Sequence, residues 1–310
     1  MIRILLILLI VVGCHKDDVD PTATIAYINE VVDLMEKYSI NRQQIDWETF
    51  RADAVAKARS TNDINASLEY VLTLLGDNHS FAARGADYVF GTGRSLCEST
   101  IPGFSFQEDI GYIKVPTYAS SDNQLSIDLQ NNIKDADTES LEGWIVDLRG
   151  NTGGNMWPML AGVGPVLGEG IAGYFIGPDD SADSWGYQDG KSLSGSDAQT
   201  SVPDPYELIN PNPKVAVLID GATASSGEAI TMSFKNRPNT KLIGRNTCGL
   251  STGNSTFTLS NGDILYLTTV RLADRFKQWS DGAIAPDINV ADPENDISTA
   301  IEWIKSASPD

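Results

Sequence analysis

Apolar positions along the chain follow two periods, and the change from one to the other divides it. Ile28, Val31, Val32 and Met35 share one helical face, and Leu68, Val71, Leu72 and Leu75 repeat that spacing in a helix ending near Gly76. Between them Asp46 stands as N-cap of a helix running from Trp47 to about Arg59. From Gly111 onward short apolar strands alternate with helices. Tyr112 to Val115, Trp144 to Leu148 and Val215 to Ile219 are strands; Leu125 to Ile133 and Met156 to Leu167 are helices. That alternation predicts an α/β domain. Asn261-Gly262, set between Phe257-Thr258-Leu259 and Ile264 to Val270, predicts a hairpin, so part of the sheet is antiparallel. Pro178 to Pro213 is rich in Asp, Ser, Gly and Pro with little periodicity and reads as a long excursion or flap. Ile297, Ala300, Ile301 and Ile304 predict a closing amphipathic helix, and no internal repeat is present.

The first residues follow neither period. Arg3 precedes an unbroken apolar run, Ile4 to Val12, and Val12-Gly13-Cys14 ends it with small residues. Nine apolar residues are too few to span a bilayer, which takes roughly 20 in a helix. The stretch resembles a bacterial lipoprotein signal with its lipobox, which implies cleavage before Cys14 and a lipid on its thiol. His15-Lys16-Asp17-Asp18 opens a polar tether too short and charged to pack. The expected organisation is therefore a signal over residues 1–14, a tether over 15–23, a helical subdomain over 24–83 and an α/β core over 84–310.

Composition narrows the partners. Lys and Arg total 22 against 42 Asp and Glu, and a net charge of -20 argues against nucleic acid and anionic membrane surfaces. The membrane is expected to be reached through the N-terminal lipid alone. With Cys14 lipidated, Cys97 and Cys248 remain, either as a disulfide in an oxidising compartment or as two buried thiols.

Three places carry candidate chemistry. His79 lies in the turn Leu75-Gly76-Asp77-Asn78-His79-Ser80 and is the one histidine outside the signal and tether. A lone histidine in such a turn is also an ordinary solvated residue. The buried run Val215 to Ile219 empties into Asp220-Gly221-Ala222-Thr223-Ala224-Ser225-Ser226-Gly227-Glu228 ahead of a helix. A serine there either presents its hydroxyl to backbone amides and a helix dipole or simply caps the helix. Trp144 to Leu148 likewise runs into Arg149-Gly150-Asn151-Thr152-Gly153-Gly154, whose glycines let amides approach a ligand. The turn lacks the lysine of a P-loop and the spacing of a dinucleotide fingerprint, which disfavours phosphate.

Taken together these segments resemble the serine peptidases that include the C-terminal processing (tail-specific) proteases, the tricorn core protease and the nisin resistance protein. Asp147-Leu148-Arg149-Gly150-Asn151-Thr152-Gly153-Gly154 is similar to that family's glycine turn and Thr223-Ala224-Ser225-Ser226-Gly227-Glu228 to its nucleophile segment. Thr247-Cys248-Gly249, Asn261-Gly262 and Ile284-Ala285-Pro286-Asp287 follow in the family's order. The resemblance implies a helical subdomain followed by a ClpP/crotonase-like α/β protease core with a mixed sheet. It assigns Ser225 as nucleophile, and the Ser226 amide with that of Gly153 or Gly154 as oxyanion hole. Asp77-Asn78-His79-Ser80 resembles the segment that carries the histidine of the nisin-resistance and tricorn branches, which makes His79 the base.

Two family features do not carry over. The processing proteases use a lysine where this chain has Leu250, and they insert a PDZ domain where only 66 residues separate Ser80 from Asp147. A PDZ-less Ser/His dyad is expected, with Asp281 as candidate orienting residue and Glu228 as a structural carboxylate at the helix start. The implied reaction is peptide-bond hydrolysis through an acyl-enzyme, without metal or cofactor, on a peptide or protein substrate. A histidine base of ordinary pKa, about 6.5, predicts activity rising between roughly pH 6 and 8. The alternative is a lipoprotein of the same fold that binds peptides without cutting them.

Overall fold

The computed structural model describes residues 20–92, 97–103, 109–280 and 282–307. The segment expected to be the export signal with Cys14, the expected tether up to residue 19, and Asp281 lie outside the described residues.

Three helices open the described chain: α1 (Thr22–Tyr38), α2 (Trp47–Thr61) and α3 (Ile64–Leu75). Asp46 caps α2 through the Thr49 amide, and Gly76 ends α3, both as the pattern predicted. Next come β1 (Phe81–Arg84), β2 (Asp87–Phe90), β3 (Ile110–Lys114), α4 (Gln124–Ala136), β4 (Gly143–Asp147) and α5 (Met156–Leu167). β5 (Gly170–Ile176), β6 (Ala182–Gln188), β7 (Lys191–Ser194), β8 (Asp197–Ser201) and β9 (Lys214–Ile219) lead into α6 (Ser226–Phe234). β10 (Thr240–Gly244), β11 (Thr252–Thr258), β12 (Ile264–Asp274), β13 (Ile288–Asn289) and α7 (Asp296–Lys305) complete the order.

The parallel and antiparallel parts of this α/β fold separate into two sheets. One has the order β13-β10-β9-β4-β3, with every pairing parallel. Parallel neighbours need crossovers, and α4 and α6 supply them between β3 and β4 and between β9 and β10. Covered on both faces, β4 and β9 are apolar almost throughout. Trp144 and Val146 face one core with α4, α5 and α6. Ile145 between them faces the other, closed by Ala300 and Ile304 of α7. The second sheet, β2-β1-β12-β5-β6-β7-β8 with β11 also on β12, is antiparallel throughout. The apolar faces of α1 to α3 close on it, with Ile28, Val31, Leu68 and Leu72 sharing a core with Leu265 and Leu267 of β12.

The stretch from Pro178 to Pro213 is not a flap: its middle is the meander β6-β7-β8, extending the antiparallel sheet. Asp189-Gly190, both at positive φ, form the two-residue turn between β6 and β7. Trp185 and Tyr187 bury their rings in the core shared with α5. The polar outer faces of these short strands hide that alternation in the sequence. Among the described residues no helix is long and apolar enough to cross a membrane.

Candidate functional site

The site is built where parallel strands end. β4 and β9 are neighbours, and their carboxyl ends release the two loops singled out by sequence; ligands of open α/β sheets bind at such ends. The loops are bonded to each other: the Ala224 amide donates to the Asn151 carbonyl at 2.9 Å. Thr223 Oγ1 donates to the Leu148 carbonyl and the Gly150 amide to Asp220 Oδ1, both at 3.0 Å.

Buried charges fix the base of the glycine turn. Arg149, fully buried, donates to both Asp147 oxygens at 2.8 and 3.0 Å and to Asp296 at 3.0 Å. Burial opposes the Asp147 charge, but the Arg149 hydrogen bond and the Lys114 and Arg149 charges outweigh it and hold its carboxyl below the usual range.

Ser225 sits directly before α6 with φ +53° and ψ −115°, a conformation side-chain-bearing residues rarely adopt. Glu228 holds it there, accepting the Ser225 amide at 3.0 Å on Oε2. Its Oε1 accepts Thr247 Oγ1 at 2.5 Å and the Gly249 amide at 3.1 Å. Complete burial pushes the Glu228 carboxyl up to about 7 against the pull of those donors. The sequence placed this residue at the helix start; that it also clamps the 247–249 loop is a tertiary fact.

His79 arrives from the other sheet. Asp77 caps its turn, accepting the His79 amide at 3.0 Å and the Ser80 amide at 2.7 Å. The turn places His79, 5 % exposed, with Nε2 3.0 Å from Ser225 Oγ. Its Nδ1 meets Thr252 Oγ1 at 2.7 Å, and Asn254 Nδ2 donates to its carbonyl at 3.1 Å. Thr252 escaped the sequence reading because a threonine opening a strand carries no signal of its own. Leu250, at the family's lysine position, is buried and lines the same cleft.

The two glycines differ. The Gly153 amide donates to Asn151 Oδ1 at 2.9 Å, so it is turned away from any ligand. Gly154, whose carbonyl accepts Ser226 Oγ at 2.7 Å, keeps its amide out of the described hydrogen bonds. Neither position tolerates a side chain. A Cβ on Gly153 would lie 2.8 Å from the Ser225 Cβ, one on Gly154 2.3 Å from the Tyr118 carbonyl oxygen, and both have positive φ.

Cys97 and Cys248 are joined as a disulfide, Cα to Cα 5.3 Å, which decides between the two sequence readings. The bridge brings Cys97 to the rim of an open cleft of about 880 Å³ holding Ser225 and His79. Among the described residues no three His, Cys, Asp or Glu side chains gather closely enough to hold a metal ion.

The fold is α/β, and in it a strand-end serine in strained backbone lies within hydrogen-bond distance of a histidine brought by a second sheet. The peptidase family S41 profile matches residues 109–290, and the chain belongs to that family. It is 27 % identical over 291 residues to the nisin-resistance protein of Lactococcus lactis subsp. lactis, covering 92 % of this chain and 88 % of that one. A lipoprotein from Streptococcus agalactiae superposes with a TM-score of 0.70 at 25 % identity, covering 91 % of this chain and 96 % of that one. The photosystem II D1 C-terminal processing protease shares the fold, with a TM-score of 0.61 at 13 % identity over 92 % of this chain and 98 % of that one.

Proposed function

We propose that the chain is a serine peptidase of the cell envelope, in which Ser225 is the nucleophile and His79 its general base. The 3.0 Å contact between Ser225 Oγ and His79 Nε2 carries this reading. His79 takes the Ser225 proton as Oγ attacks a peptide carbonyl, and the amides of Gly154 and Ser226 receive the oxyanion. His79 then returns the proton to the departing amine, and water releases the acyl group by the same route. Thr252, accepting from Nδ1–H, selects the tautomer whose Nε2 is free to accept a proton. Membership of peptidase family S41 supports a peptide or protein substrate, and likeness to a streptococcal lipoprotein supports a lipid tether at Cys14 outside the cytoplasm. Residues 24–83 then form the helical part that brings the base, and residues 84–310 the core that brings the nucleophile.

One observation favours the second reading, a peptide-binding protein that does not cut. Leu250, buried and uncharged, lines the cleft where the processing proteases use a lysine. A fluorophosphonate probe separates the two. The peptidase reading expects an adduct on Ser225 that is lost in His79→Ala; no adduct between pH 6 and 9 leaves the binding protein.

A further inference from the structure

The cleft around Ser225 has no Asp, Glu, Lys or Arg among its described lining residues, although the chain holds 42 acidic and 22 basic residues. A carboxylate or ammonium on a bound peptide would lose water there without gaining a counter-charge, which is costly. What the walls offer instead is ring surface.

One wall is an aromatic shelf built on β1, β2 and β12. Phe81 and Tyr266 are register partners across β1 and β12, stacked with centroids 4.5 Å apart. Tyr88 leans edge-on against Phe81 at 5.9 Å and is 63 % exposed. Phe81 and Tyr266 are half-buried, so all three rings keep surface open. A large ring left that open on the wall of a cleft does little for the core and is free to cover a ligand.

The position of the shelf says which part of a peptide it meets. Phe81 follows His79 by two residues, so the shelf begins on the strand leading away from the base. The base that takes the serine proton must also reach the departing amine. The half of the peptide that leaves therefore lies toward His79 and the shelf, while Met156 and Trp157 flank the cleft beyond the oxyanion amides.

β11 continues the uncharged lining of the cleft beside the shelf. Ile264 to Tyr266 of β12 pair with β1 on one edge and with β11 on the other, and Arg271 pairs with β5 and β11 in the same way. The outer edge of β11 thus has no strand partner among the described residues. Its sequence, Thr252 to Thr258, carries neither charge nor proline, the usual guards of an open edge. Thr252, Gly253, Asn254 and Thr256 line the cleft beside His79. Thr256, Tyr266 and Phe81 are register partners across β11, β12 and β1 and so share the sheet face that lines the cleft.

We infer that Phe81, Tyr88 and Tyr266 form the subsite for an aromatic or large aliphatic side chain on the leaving-group side of an uncharged peptide segment. This rests on Ser225 and His79 being the acylating pair, and the test keeps the two claims apart. The full-length protein is incubated with a defined mixture of synthetic peptides, and cut sites are mapped by mass spectrometry. Phe, Tyr, Leu and Met are expected to be enriched on the leaving-group side, with Asp, Glu, Lys and Arg depleted. Tyr88→Ala should lower kcat/KM about fivefold for a peptide with Phe at that position, the size of one aromatic contact. It should leave the Ala counterpart and the rate of fluorophosphonate labelling unchanged. A flat preference, or an equal loss on both peptides, overturns the subsite while leaving the peptidase intact. Where nothing is cut, the Phe and Ala peptides are titrated against Ser225→Ala by fluorescence anisotropy; tighter binding of the Phe peptide that Tyr88→Ala abolishes supports the shelf, and equal affinities overturn it.

Discussion

Ser225 and His79 come within 3.0 Å of each other from two regions built on opposite plans. The serine region is the end of a parallel sheet, and its supports are buried ionisable side chains: Asp147, Arg149, Asp220 and Glu228 are each no more than 1 % exposed. Every backbone turn there has a named partner, so Ser225 can be held in a strained conformation. The histidine region is a short turn between a helix and an antiparallel strand. Asn78 within it is exposed, and the half-buried Asp77 carboxylate, the Thr252 hydroxyl and the Asn254 amide do the positioning. Strain needs an over-determined frame, whereas an imidazole needs only its plane and tautomer set. The two regions should therefore fail differently.

The widest effect tests whether they act as one unit. Ser225→Ala and His79→Ala should each reduce turnover by on the order of 10⁴-fold, and the double variant by little more, because such groups fail together. Peptide hydrolysis by the three proteins measures this, and additive losses would mean that the contact is not functional. Next in size is Gly154→Ala on the serine side. Its Cβ would press on the Tyr118 carbonyl and turn the amide away from Ser225, and losing one oxyanion donor costs about 10²–10³ in kcat. A change under tenfold, with circular dichroism showing an intact fold, would remove Gly154 from the oxyanion hole.

Glu228 gives the serine region a pH signature in stability. Its folded pKa, about 7, lies above the ordinary glutamate value because burial disfavours the charge. The folded state therefore holds the proton more tightly than the unfolded chain. The resulting stabilisation is complete below about pH 4.5 and lost as pH rises to about 7, by roughly 3 kcal/mol. Urea midpoints of wild type and Glu228→Gln across that window test it, since the variant should lack the decline that this group causes. The smallest effect belongs to the histidine side. Thr252→Val removes one hydrogen bond from Nδ1 and should lower kcat about tenfold with KM unchanged. Thr252→Ser should restore it. An inert Thr252→Val would show that packing alone orients His79.

Much of the serine region is legible in the amino-acid order because its chemistry is local. A strand buried on both faces is a continuous apolar run, and Val215 to Ile219 followed by a small-residue loop and a helix contains its own geometry. The same holds for Trp144 to Gly154, for the Asp46 cap of α2 and for the Asn261-Gly262 hairpin, whose periods and turn types belong to a few neighbouring residues. The sequence alone therefore determined the α/β alternation, the opening helices, the strand-end serine and the one histidine among the described residues.

Other features depend on contacts between residues far apart in the chain, and no local pattern reports those. The meander from Ala182 to Ser201 shows polar outer faces and buries its rings only in a core shared with α4, α5, α6 and β5. Thr252 lies 173 positions from His79, brought near it because β11 and β1 both pair with β12, and Cys97 lies 151 from Cys248, separations that only the tertiary fold brings to bonding distance. Which glycine amide stays open was decided by the Asn151 side chain, and the aromatic shelf by the register of β1 on β12. Periodicity encodes which face of an element is buried; where two elements meet, and therefore which polar atoms find one another, is settled only when the sheets pack.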